Sequence, residues 1–95
     1  MGLKSTTTCL GYQQITDLSA SVGLTIPTLN GQRPTLALIA PGVQAVRWRD
    51  DGVAPTATVG MPLAVGASLS YDGDLARIRF FETTASAVLN ISYYA

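Results

Sequence analysis

Histidine is missing from this 95-residue chain, and cysteine occurs once, as Cys9. Without imidazole, no side chain is poised by its ordinary pKa to move protons near neutral pH. One thiol can neither complete a zinc site nor close an internal disulfide, so no metal or covalent staple is expected to support the fold. Charge is also scarce: 13% of residues are charged, where a soluble domain usually has about 25%. Six cations balance six anions, so the basic excess that neutralises phosphate in nucleic-acid binders is absent. No run approaches the roughly 20 apolar residues of a membrane helix. No apolar run follows the start as in a secretory leader, and a soluble chain without membrane contact is expected. The opening Met1-Gly2-Leu3-Lys4-Ser5-Thr6 fits the loose myristoylation pattern in form, but that pattern is short and frequent by chance.

What remains is apolar and rhythmic. Hydrophobic residues make up 47% of the chain, and a surface this poor in charge does little to keep copies apart in solution. The length suits one domain with a modest core, burying about 60–65% of the surface its unfolded form exposes. A shared interface is therefore expected, in a homo-oligomer.

The apolar pattern has period two. Val46 and Trp48 alternate with Arg47 and Arg49, and Ala76, Ile78 and Phe80 alternate with Arg77 and Arg79. Ala67, Leu69 and Tyr71 alternate with Ser68 and Ser70. Ala87, Leu89, Ile91 and Tyr93 alternate with Val88, Asn90, Ser92 and Tyr94. Residues 35–40 are more uniformly apolar than these runs, which predicts a strand covered on both faces or buried against a partner. Turn residues fall between these runs at Asn30-Gly31, Pro41-Gly42, Asp51-Gly52, Gly60, Gly66 and Asp72-Gly73. The spacing predicts strands near 10–16, 22–27, 35–40, 44–49, 61–65, 67–71, 75–82 and 86–94. A short helical turn within 14–22, capped by Thr16 or Asp17, is the local alternative. The fold class is all-β: a small antiparallel β-sandwich or jelly-roll-like barrel of about seven to eight strands. Residues 10–95 form the β domain, with 50–60 as an extended loop, and residues 1–9 form a polar N-terminal arm.

Candidate sites are few. Arg47, Arg49, Arg77 and Arg79 are two i,i+2 pairs that would form a basic patch on neighbouring strands. Such a patch would either dock acidic groups of a partner or pair with the turn acids Asp50, Asp51, Asp72, Asp74 and Glu82. Those acids lack the alternating oxygen ligands of a calcium loop, and turn geometry explains them. Cys9 has no base beside it in sequence, and a nucleophilic role is not expected. Trp48, Tyr71, Phe80 and Tyr93 fall on the inward phase and read as core. Phe81 and Tyr94 fall on the outward phase, where aromatics serve as interface anchors or mark a bulge. In the arm, Thr6, Thr7 and Thr8 have the β-branched shape that suits pairing with a neighbour's strand edge. The alternative is a first strand that begins early in the chain's own sheet.

Residues 46–52 (Val-Arg-Trp-Arg-Asp-Asp-Gly), Pro55-Thr56-Ala57, Val59-Gly60-Met61, residues 71–75 (Tyr-Asp-Gly-Asp-Leu) and Ile78-Arg79-Phe80 carry a resemblance over roughly residues 10–95. The chain resembles small virion-associated proteins of tailed bacteriophages. The resemblance implies a non-enzymatic structural protein without cofactors, placed in the virion and assembled in the bacterial cytoplasm. Its expected role is capsid decoration or cement on the major capsid protein or other virion subunits, where a capsid three-fold position makes a trimer the geometric guess. The alternatives are a tail or neck component, or a carbohydrate- or receptor-binding β module in which Tyr94, Phe81 or Trp48 stacks on a ligand. No functional residue is carried over from it.

Overall fold

Alternating side chains become strands when one phase can be buried, as the alternating burial along residues 89–94 shows. The computed structural model describes residues 8–95, so Thr6 and Thr7 lie outside the described residues. The elements are β1 (Cys9–Ile15), β2 (Val22–Gly23), β3 (Leu36–Pro41), β4 (Val46–Arg49), β5 (Met61–Leu63), β6 (Leu69–Tyr71), β7 (Arg79–Glu82) and β8 (Leu89–Tyr94). Among the described residues there is no helix. Residues 17–19 instead form a local turn, with the Asp17 carboxylate accepting from the Ser19 amide (3.2 Å) and hydroxyl (2.7 Å).

The strands form two antiparallel four-stranded sheets, in the orders β1-β8-β3-β6 and β2-β7-β4-β5. The pairs β1·β8, β2·β7, β3·β6 and β4·β5 are those of one long hairpin ribbon. Rolled up, that ribbon gains the additional contacts β3·β8 and β4·β7. This winding is the jelly roll, the more specific of the two predicted architectures.

The inner rows follow from register. Ile15 faces Leu89, which faces Pro41, while Ile91, Ile39 and Leu69 make the next row, and Tyr93, Ala37 and Tyr71 the third. From the other sheet, Val46, Leu63 and Phe80 meet them, with Leu18, Leu75, Ile78 and Ala87 filling the ends. Side chains such as Ile39, Phe80, Leu89 and Ile91 are fully enclosed, and each contributes about 1.5–3 kcal/mol by leaving water. Buried polar tips are satisfied: the Tyr93 hydroxyl donates to Gln13 Oε1 at 2.7 Å, and that oxygen also accepts the Thr25 amide at 3.2 Å.

Several expectations need correction. β3 is not covered on both faces: Ala37, Ile39 and Pro41 are buried, but Leu38 stands 41% exposed on the outer face. Ala67 and Ala76 are exposed, because turns at 64–67 and 74–78 occupy what alternation assigned to strands. Residues 24–27 leave the ladder after Gly23 as irregular chain, with the Thr25 amide on Gln13 Oε1 and Pro27 beside Gly11. Cys9 is the first residue of β1 rather than the last of an arm. Thr8 exchanges both backbone hydrogen bonds with Ala95, at 2.8 and 3.0 Å, so it pairs within its own chain.

Candidate docking surface

The two sheets share charge unequally. Strands β1, β3, β6 and β8 contain no Asp, Glu, Lys or Arg, whereas β4 and β7 carry Arg47, Arg49, Arg79 and Glu82. One outer face of the sandwich is therefore neutral from edge to edge. Its rows are Gln14, Asn90 and Ala40; then Tyr12, Ser92, Leu38 and Ser70; then Cys9, Tyr94 and Leu36.

Hydrogen bonds within this face hold it in shape. Asn90 Oδ1 accepts from the Tyr12 hydroxyl at 2.6 Å and from Gln14 Nε2 at 3.0 Å. Asn90 Nδ2 reaches back to the Ala40 carbonyl at 3.4 Å. Tyr12 is thereby fixed while standing 64% exposed, across Ser92 from the exposed Leu38. A rigid aromatic and an aliphatic side chain on an uncharged plane can dock against protein without stripping water from ions. Sequence reasoning passed over Tyr12, Gln14, Leu38 and Asn90. The clue was available, since residues 9–15, 36–41, 69–71 and 89–94 hold no charge, but only the sheet order shows that they form one surface.

The four arginines do something different from each other. Arg47 is half-buried and donates from Nε to the Ala57 carbonyl (3.1 Å) and from a terminal nitrogen to the Gly60 carbonyl (2.9 Å). Arg77 donates to the Asp51 carbonyl at 3.0 Å. Arg49 grips the Asp51 carboxylate through two nitrogens, at 3.0 and 2.5 Å. The ion pair holds the Asp51 carboxyl down at about 2 and raises the Arg49 guanidinium above its ordinary value. Three of the predicted patch residues thus fasten the 50–60 loop, whose Pro55 is fully buried. The bonds at Thr56, from its amide to the Val59 carbonyl and to its hydroxyl from the Val59 amide, complete that loop. Arg79 lies directly across the ladder from Arg49, is exposed, and has no hydrogen bond or ion pair among the described residues.

The aromatic candidates are also placed. Phe81 sits half-buried in a row with Arg47 and Pro62 on the charged sheet. Tyr94 sits half-buried on the neutral face between Cys9 and Leu36. Trp48 meets Tyr71 edge to face, with ring centres 6.0 Å apart and planes at 64°. The Tyr71 hydroxyl crosses from one sheet to the other and donates to Asp50 at 2.7 Å. Burial, with the Asp50 carboxylate in second place, pushes Tyr71 up to about 12, and burial alone does the same for Tyr93.

Two open concavities of about 260 Å³ each flank this region. One is lined by Arg49, Asp50, Asp51 and Met61, the other by Arg33, Asp72, Asp74 and Leu75. No group of three or more metal-capable side chains occurs among the described residues. Comparison with protein-family models, curated proteins and solved structures finds no match.

Proposed function

We propose that this chain is a bacteriophage virion structural protein without catalytic activity, a decoration or cement protein that lays the neutral outer face of the β1-β8-β3-β6 sheet on the head shell. The observation that carries the reading is the segregation of charge: one whole face has none, and it presents Tyr12 and Leu38 to solvent. Two further points support it. The jelly roll is a recurrent unit of viral capsid domains, although the fold alone assigns no function. The resemblance carried by residues 46–52 and 71–75 points to virion components of tailed phages.

Binding of the purified protein to head shells that lack it provides the test. Leu38→Glu places a carboxylate in the middle of the neutral face and is expected to abolish binding while the fold survives, because the residue is exposed. Arg79→Glu, on the opposite sheet, is expected to bind as wild type, and attachment is expected to vary little with salt. Binding that survives Leu38→Glu but fails with Arg79→Glu and at high salt would move the interface to the arginine face. Binding to purified tails instead of heads would make the protein a tail or neck component.

A further inference from the structure

Exposed sheet edges invite pairing with other chains, and proteins guard them with short strands, proline or charge. Three of the four edges here are guarded. β2 is two residues long, β6 is three, and β5 is three with Pro62 at its centre. The fourth edge, β1, is seven residues long and contains neither charge nor proline. Its only irregularity is a bulge between Cys9 and Gly11.

The direction of its free backbone groups can be worked out. Thr8 and Ala95 form a reciprocally bonded pair, and antiparallel bonding alternates along the ladder. Across the bulge this puts Gly11, Gln13 and Ile15 in bonds with β8. The other flank of β8 agrees, since the Tyr94 and Val88 carbonyls accept from Thr35 and Gly42 on the β3 side. The N–H and C=O groups of Tyr12 and Gln14 therefore point away from the sheet. They have no backbone partner among the described residues. The 24–27 segment meets this strand through the Gln13 side chain, which accepts the Thr25 amide, and through Pro27 beside Gly11.

We infer that β1 is a homodimer edge: two copies pair antiparallel through Gly11–Ile15 about a twofold axis at Gln13, joining their neutral sheets into one. In that register Tyr12 bonds reciprocally with Gln14 of the partner subunit, and Gln14 with the partner's Tyr12, while the bulge falls outside the paired run. The occupant is a second copy because the strand complements itself. Each exposed donor meets an exposed acceptor of the same segment. No like charges face each other across the axis, and the amphipathic Tyr12 ring lies beside it, against the partner's amide side chain. Pairing of a strand with itself is isologous, so this contact makes a dimer rather than the trimer anticipated from the resemblance. The inference goes beyond the virion reading and stands whether or not heads are the target.

Sedimentation equilibrium of the full chain over a concentration series tests it, with two variants. Gln14→Pro removes an outward-facing donor, a substitution that edge strands tolerate on the solvent side. Tyr12→Lys/Gln14→Lys puts four ammonium groups across the axis. Wild type is expected to sediment as a dimer of the 9.9 kDa chain, and both variants as monomers with unchanged circular dichroism. In a Cys9→Ser background, Tyr12→Cys/Gln14→Cys is expected to give a covalent dimer on mild oxidation, since bonded cross-strand pairs lie about 5.5 Å apart at Cα, within disulfide reach. A wild-type monomer at all concentrations would overturn the inference. So would a dimer untouched by both variants, or one lost only when residues 1–7 are deleted.

Discussion

Replacing Gly73 by alanine should be among the most damaging single-methyl additions in the molecule. The reason is space rather than backbone conformation. A Cβ at this position would lie 2.4 Å from the Tyr71 hydroxyl oxygen and 2.5 Å from the ring carbon that bears it. The ring cannot turn aside in place, because it is buried, packed edge-on to Trp48 and tied to Asp50. It must leave, giving up a hydrogen bond to a carboxylate worth about 1.5–3 kcal/mol. Repacking of an overfilled site adds about 1–3 kcal/mol. A combined loss of about 2.5–6 kcal/mol lowers Tm by about 10 °C or more in a domain of this size. Thermal melts by circular dichroism measure it, and Trp48, the sole tryptophan, reports displacement of its neighbour by fluorescence. Gly66→Ala is the control: its φ is +86°, nothing lies within 4 Å of the added carbon, and only the backbone cost of about 1–2 kcal/mol applies. If Gly73→Ala melts no lower than Gly66→Ala and leaves Trp48 emission unchanged, the inter-sheet tie between Tyr71 and Asp50 is not what holds that end together.

Acid stability should fall through Asp51: its carboxyl sits at about 2 in the folded chain against an ordinary 3.8, so its contribution is complete above pH 4 and is lost as pH drops towards 2. In chemical denaturation, Asp51→Asn should flatten that slope without changing the plateau's shape at neutral pH. At the alkaline end, Tyr71 and Tyr93 are both raised from 10 to about 12, so stability is present below pH 10 and declines between 10 and 12. The double variant Tyr71→Phe/Tyr93→Phe should lose that decline, as followed by fluorescence against pH. Arg47→Ala should free the 50–60 loop, with a stability loss of about 2 kcal/mol from two charge-assisted hydrogen bonds. Limited proteolysis should then cut within the loop, whereas Arg79→Ala should stay within about 0.5 kcal/mol of wild type.

The period-two runs made β4, β6, β7 and β8 legible, because alternation is a local property that burial of one phase enforces, and the turn residues between runs marked the other strands. Val46 and Trp48, Ile78 and Phe80, and Leu89, Ile91 and Tyr93 all face inward as read. The errors occur where local pattern meets long-range pairing. Ala67 and Ala76 keep the rhythm but lie in turns, since their strands have no partner at those positions. Leu38 looked like the middle of a doubly covered strand, yet only the register of β3 against β6 and β8 decides which of its phases meets the core. The arginines were visible as pairs, but whether they serve a partner or the loop depends on where the non-periodic residues 50–60 fold back. The neutral face needed the most: its residues come from four separated segments, and only sheet order brings them together.

The nested order of the strand pairs has a consequence in time. β4·β5 closes the shortest loop, and β3·β6, β2·β7 and β1·β8 enclose it in turn. Once an inner pair has formed, each further closure joins ends already brought near, so its added entropic cost is small, whereas closing β1·β8 first would be expensive. Assembly should thus proceed outward from the 50–60 loop. Cys9–Ile15 leaves the ribosome early but waits for Leu89–Tyr94, a delay on the order of ten seconds at about 5–20 residues per second. The least guarded strand of the molecule is also the one left longest without a partner during synthesis. Crowded nascent chains on one message are therefore where mispairing of β1 should begin, and a slower-translated stretch between β1 and β8 would worsen it.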